Sequence, residues 1–162
     1  MEIDSGIINL ASMAKALLVE RKETLACCES LTGGLFGAAL CCVPGISECF
    51  RGGAITYCDE VKVAVGVREK TLADHTAISG ECAEEMALSA RRFTGADWAV
   101  SFTGNAGPTA QDGAPVGLVY IGVCHGADVR AFRYQLEGDR TQVRLAAVRE
   151  GLRLLLKAIA DE

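Results

Sequence analysis

The sequence predicts an α/β domain in which a mostly parallel sheet is covered by helices. Three observations carry that expectation. Short uncharged runs such as Thr24–Cys28 suit strands buried on both faces. Segments with apolar residues at helical spacing alternate with these runs along the chain. The 162 residues make one ordinary domain, residues 1–162, and a chain of this length buries roughly 70% of the surface its unfolded form exposes.

Each element has its own signal. From Ile7 to Val19, residues Ile7, Ile8, Leu10, Ala11, Ala14, Leu17 and Leu18 recur at helical spacing, with Lys15 on the wet side. The strand Thr24–Cys28 follows, and Leu35–Leu40 is a small-residue helix that ends at Val43-Pro44-Gly45. Phe50–Tyr57 reads as a strand with a glycine bulge, followed by a short helix through Glu60, Lys62 and Val65. Ser79 suits the N-cap of a helix over Glu81–Phe93, which Gly95 stops. Ala96–Phe102 is a third buried strand, and the glycine-rich stretch Thr103–Pro115 lacks periodicity, as ligand loops commonly do. Val116–Cys124 and Val129–Leu136 flank a turn at His125–Asp128, a hairpin that makes one antiparallel pair. Gly138-Asp139 opens the last helix.

Composition narrows the function. Half of the residues are apolar and 23% are charged, which excludes a disordered or fibrous chain. Sixteen Lys and Arg against 21 Asp and Glu leave a net charge of −5, against the basic excess that nucleic-acid backbone binders carry, so no nucleic-acid partner is expected. The first residues are acidic where a secretion signal is basic, and no run reaches the ~20 apolar residues of a membrane span. A cytoplasmic protein without a membrane partner is expected. The eight cysteines include no C-x-x-C spacing, so they read as buried thiols that pack as small apolar groups, and no metal is expected.

Chemistry concentrates at two places. Glu29-Ser30-Leu31-Thr32-Gly33-Gly34 puts a hydroxyl between a strand and a helix, where backbone N–H groups at Leu31–Gly34 can face an oxyanion or a phosphate. The same pattern fits a simple N-cap. Tyr57 and Lys62 follow the second strand, and a chain reversal can bring both toward Ser30, where a general base is needed. His75, read in a loop, and His125, in the hairpin turn, look like surface histidines, which disfavours a Ser-His-Asp triad. Arg140 and Arg144 lie one turn apart at the start of the last helix, either facing an anion or pairing with Glu137 or Glu150.

Taken in order, Glu29–Gly34, Val43-Pro-Gly45, Phe50-Arg-Gly-Gly53, Tyr57 through Lys62, Thr103-Gly-Asn-Ala-Gly-Pro108, Pro115–Tyr120 and Gly138-Asp-Arg140 resemble the CinA C-terminal-domain family over nearly the whole chain. The resemblance implies a three-layer α/β/α sandwich with a mixed, mostly parallel sheet of about five strands. It also implies hydrolysis of nicotinamide mononucleotide to nicotinate mononucleotide and ammonia, without metal or organic cofactor. By the same resemblance Ser30 is the nucleophile, Tyr57 and Lys62 activate it, and Thr32, Gly33, Gly34, Thr103, Gly104, Arg140 and Arg144 contact the nucleotide. A homo-oligomer is expected. The alternatives are a nucleotide-binding module without turnover and a different amidase or esterase using the same serine.

The chain also differs from the family's usual pattern. Cys58-Asp59 stands where Ser-Asn is common, Thr109-Ala110-Gln111-Asp112 replaces a run of glycines, and Asn105 replaces an apolar residue. Asp59 adds a negative charge beside the site, where it either keeps Lys62 protonated or caps the following helix.

Overall fold

The computed structural model describes residues 1–162. Its five strands are β1 (Leu25–Glu29), β2 (Phe50–Ile55), β3 (Trp98–Gly104), β4 (Leu118–His125) and β5 (Asp128–Gln135), arranged in the order β2-β1-β3-β4-β5. Parallel pairs join β1 to β2 and to β3, while β4 runs antiparallel to both β3 and β5. Two antiparallel pairs therefore exist where the sequence predicted one. The reason lies in the β3–β4 connection, a loop over residues 105–117 with no crossover helix, and parallel neighbours need such a crossover. The expected bulge in β2 is present, since Leu25 pairs with Phe50 and Ala26 with Gly52.

Helices cover both faces. On one side lie α1 (Ser5–Arg21), α2 (Leu35–Cys41) and α6 (Arg140–Ala160). On the other lie α3 (Asp59–Val65), α4 (Glu69–His75) and α5 (Gly80–Thr94). The three layers follow from period-two alternation along the central strands. Leu25 and Cys27 of β1, Trp98, Val100 and Phe102 of β3, and Val119, Ile121 and Val123 of β4 enter the larger core under α1 and α6. Ala26, Cys28, Ala99 and Cys124 point the other way, to Cys82, Ala83, Met86, Ala87 and Ala90 of α5. Small residues on that face let α5 lie close to the sheet. At Gly122 the approach is closest, because a Cβ would stand 2.5 Å from both the Ala83 carbonyl and the Ser101 hydroxyl.

Side-chain caps fix the ends of the long helices. Asp4 accepts from Ile7 N–H and Ser79 from Cys82 N–H, while Asp139 and Gln142 close a reciprocal capping box at α6. The sequence pattern predicts no helix α4 and places His75 in a loop, whereas His75 ends that helix. Only Thr71 of its seven residues is buried, too little to print a period. His125 also departs from expectation: it ends β4 and stacks on Trp98 with centroids 4.0 Å apart. Five cysteines are buried as expected, but Cys41, Cys42 and Cys58 are exposed. No helix is long and apolar enough to cross a membrane.

Asp97 ties the start of the sheet together. One of its carboxylate oxygens accepts from the Thr24 N–H at 2.8 Å and from the Thr24 hydroxyl at 2.7 Å. Partial burial opposes ionisation, but these bonds and nearby His125 outweigh it and hold the carboxyl below its ordinary value. A lowered folded-state value means stability that is present above the unfolded value, about 3.9 for aspartate, and lost as pH falls through the folded one. Asp97→Asn should therefore lower stability at neutral pH by about 1 kcal/mol, after allowance for solvent screening. It should also flatten the acid limb of the stability profile below about pH 4, read from the emission of Trp98, the single tryptophan.

Candidate active site

A strand order of 2-1-3 puts a topological switch between β1 and β3, and ligand crevices form outside the carboxyl ends of strands at such points. Ser30 follows the end of β1, and Thr103 and Gly104 end β3. All three line a cleft of about 420 Å³, together with Tyr57, Lys62 and Arg140. Six of the ten residues expected at the site thus meet around one cavity. Leu31 lines it as well, whereas Thr32, Gly33, Gly34 and Arg144 are not among its lining residues.

The turn that carries Ser30 is built by Glu29, a residue to which the sequence assigns no role. The buried Glu29 carboxylate accepts N–H bonds from Gly34 at 3.0 Å, Phe36 at 3.1 Å and Gly37 at 2.9 Å. It therefore caps α2 from five to eight residues away, and Gly34 can take the N-cap position because it adopts φ +93° without a Cβ penalty. Gly33 N–H bonds back to the Ser30 carbonyl, and Ser30 N–H to the Phe102 carbonyl. What remains without a protein acceptor are the N–H groups of Leu31 and Thr32, directly after the serine. Of the donors expected to face an anion, these two are free to do so.

Ser30 is not itself a cap. Its Oγ lies 3.2 Å from Lys62 Nζ, and that amine also donates to the Thr56 carbonyl at 2.8 Å. Lys62 is only 1% exposed although it sits on a short surface helix. It reaches the serine because α3 begins just past the end of β2, beside β1, so its first turn hangs over the carboxyl end of the sheet. The neighbouring thiols are not competitors. Burial pushes Cys28 up to about 11 and Cys82 up to about 12, so both stay protonated at neutral pH.

Tyr57 behaves differently from Lys62. The tyrosine is 59% exposed, and its hydroxyl accepts from Arg140 at 2.7 Å rather than meeting the serine. Arg140 also donates to the Gly107 carbonyl at 2.6 Å, so one guanidinium ties the Tyr57 lip of the cleft to the glycine-rich loop. Arg144 donates to the Leu31 and Thr32 carbonyls at 3.0 and 2.7 Å, bracing the serine's turn from behind. Neither arginine pairs with Glu137 or Glu150. The Thr103 hydroxyl donates to the Ala77 carbonyl, and the Thr32 hydroxyl is buried without a partner.

The family model of the CinA C-terminal domain matches residues 8–159. The chain belongs to the CinA C-terminal-domain family. A Listeria welshimeri relative named "Putative competence-damage inducible protein" is 41% identical over 152 residues, 93% of this chain and 37% of its own length. One of the same name from Bacillus pumilus is 40% identical over 157 residues, 96% of this chain and 38% of its own length. The chain thus spans a little over a third of the length of the curated relatives it matches. Among solved structures, a CinA superfamily protein from Klebsiella pneumoniae is 33% identical with a TM-score of 0.93, covering 96% of this chain and 99% of its own. A competence/damage inducible protein from Agrobacterium tumefaciens is 31% identical with a TM-score of 0.92, covering 99% of each chain.

Within this CinA domain, Asn105 has a definite task where the sequence showed only a departure. Its side chain accepts from Gly107 N–H at 2.8 Å and donates to the Thr109 and Ala114 carbonyls at 2.9 and 3.1 Å. One buried amide therefore shapes the loop that lines the cleft. The loop begins at Asn105, two residues later than predicted, because Thr103 and Gly104 still pair with Tyr120 and Val119.

Proposed function

We propose that the protein is an amidohydrolase that converts nicotinamide mononucleotide to nicotinate mononucleotide and ammonia. The observation that carries the reading is the 3.2 Å approach of Lys62 Nζ to Ser30 Oγ at the floor of the cleft. A serine is a weak nucleophile until a neighbouring base takes its proton, and a buried lysine amine can replace histidine in that role. The choice of substrate rests on the family resemblance.

In this reading the Ser30 proton passes to Lys62 as Oγ attacks the carboxamide carbon. The Leu31 and Thr32 N–H groups then receive the oxyanion. Lys62 returns the proton to the amide nitrogen, the C–N bond breaks, and ammonia leaves an acyl-enzyme. Water, giving up a proton to Lys62, attacks the ester carbonyl; the C–O bond to Ser30 breaks, Lys62 returns that proton to Oγ, and the acid is freed. Arg140 meets the nucleotide at the rim, and Tyr57 holds Arg140 rather than acting on Ser30.

The experiment is to incubate purified protein with nicotinamide mononucleotide and to measure ammonia and the nucleotide product together. Equal amounts of both are expected. A thermal shift on adding the nucleotide without ammonia release would make the protein a binding module, because only a ligand that prefers the folded state raises its stability. Absence of both signals would remove this nucleotide as the ligand.

A further inference from the structure

We propose that Asp59 is the third member of the Ser30–Lys62 site, a positioning residue that aims the lysine amine and balances its charge when it takes the serine proton. The inference rests on the reading of Ser30 as nucleophile. Three acceptors surround Lys62 Nζ: Ser30 Oγ at 3.2 Å, the Thr56 carbonyl at 2.8 Å and Asp59 Oδ1 at 3.8 Å. An ammonium has three N–H bonds, whereas a neutral amine has two and one lone pair. The Thr56 carbonyl and the Asp59 carboxylate carry no proton to offer a lone pair. Ser30 does. The neutral amine therefore keeps an N–H bond on the Thr56 carbonyl, faces the Asp59 carboxylate at ion-pair distance, and turns its lone pair to the Ser30 hydroxyl, which is the orientation a base must have to deprotonate that serine.

The helix supplies the geometry. Asp59 opens α3 and Lys62 follows one turn later, so both side chains rise on the same face. When the proton crosses from Oγ to Nζ, the electron pair of the O–H bond becomes the new bond from oxygen to the electrophile, and a buried cation is left behind. The Asp59 carboxylate faces it. The carboxylates of Glu60 and Asp112 line the same cleft but form no ion pair with the amine, and the other ionisable groups packed nearby do not offset its charge. Cys28 on β1 and Cys82 on α5 are protonated thiols. Glu29 is turned to the N–H groups of α2, and Arg140 is tied to Tyr57 and Gly107.

The test uses a fluorophosphonate, which needs only the nucleophile and its base and not the nucleotide. Attack by Ser30 forms the oxygen–phosphorus bond, fluoride leaves, and the serine proton passes to Lys62. The rate of labelling, located by mass spectrometry of the intact chain and its peptides, is followed against pH and salt. In Asp59→Asn the plateau rate should fall on the order of fivefold, the scale of an exposed ion pair, since the Asp59 side chain is 60% exposed. High salt should bring the wild type toward the variant and leave the variant unmoved. Asp59→Glu should restore part of both effects. Profiles of Asp59→Asn and wild type that superimpose would overturn the role of Asp59 while leaving Ser30 in place. A wild type labelled nowhere, or at another residue, would instead overturn the serine reading itself.

Discussion

Lys62→Met is expected to lower kcat/KM for ammonia release about a hundred- to ten-thousandfold, the range in which a positioned general base acts. Ser30→Ala should cost at least as much. The double variant should be no worse than the more damaged single one, because a nucleophile and its base act as a unit and their losses do not add. Stability will separate the lysine's chemistry from its packing. Met keeps the length and apolar stem of a side chain that is 1% exposed, and it removes the cost of burying a polar amine. Against that gain, the Thr56 carbonyl loses its donor. The two effects oppose, so the denaturant midpoint should stay within about 1 kcal/mol of wild type. A Lys62→Met protein that folds like wild type and still turns over at a comparable rate would remove Lys62 as the base. Binding of the nucleotide, followed calorimetrically, should survive in Ser30→Ala because the rim at Arg140 is untouched.

The parts of this site that sequence reading reached are those written in contiguous residues. The uncharged run ending at Cys28 forecast a strand buried on both faces, and β1 is buried at all five positions. With the strand placed, Ser30 had to lie at its carboxyl end. The pairing with Lys62 needed only a reversal between β2 and α3, which the three residues Thr56–Cys58 between them supply. Three things were not legible, each for a physical reason. Strand direction in β4 depends on whether a helix intervenes in the loop after β3, and a glycine-rich segment carries no periodicity by which to decide. The partners of Arg144 are backbone carbonyls of Leu31 and Thr32, which every residue possesses, so no side-chain pattern announces them. Asn105 shows in the sequence only as a departure from an apolar position, because the groups it satisfies are also backbone, at Gly107, Thr109 and Ala114.

Glu29 was hidden in the same way, and it gives the largest expected effect on stability. A carboxylate with no solvent access is costly unless its oxygens are satisfied, and here three backbone N–H groups of the turn and first residues of α2 satisfy them. Those same N–H groups would otherwise be buried donors without partners. Glu29→Ala should therefore destabilise the fold by roughly 3–5 kcal/mol, from lost charge-assisted bonds, orphaned donors and the cavity left behind. Glu29→Gln should be nearly as damaging despite its matching shape. One end of the amide is an NH₂ group, and whichever way it turns it presents a donor to a donor, either to Gly37 N–H or to the Gly34 and Phe36 pair. Activity should fall further than stability alone requires. The turn that Glu29 holds also fixes Ser30 and aims the free N–H groups of Leu31 and Thr32, and a displacement of about 1 Å at such a site costs on the order of a hundredfold in rate. Chemical denaturation followed through Trp98, with kcat measured where each variant is fully folded, separates the two losses. A Gln variant as stable and as active as wild type would mean that the turn holds itself, and that Glu29 only fills space beneath α2.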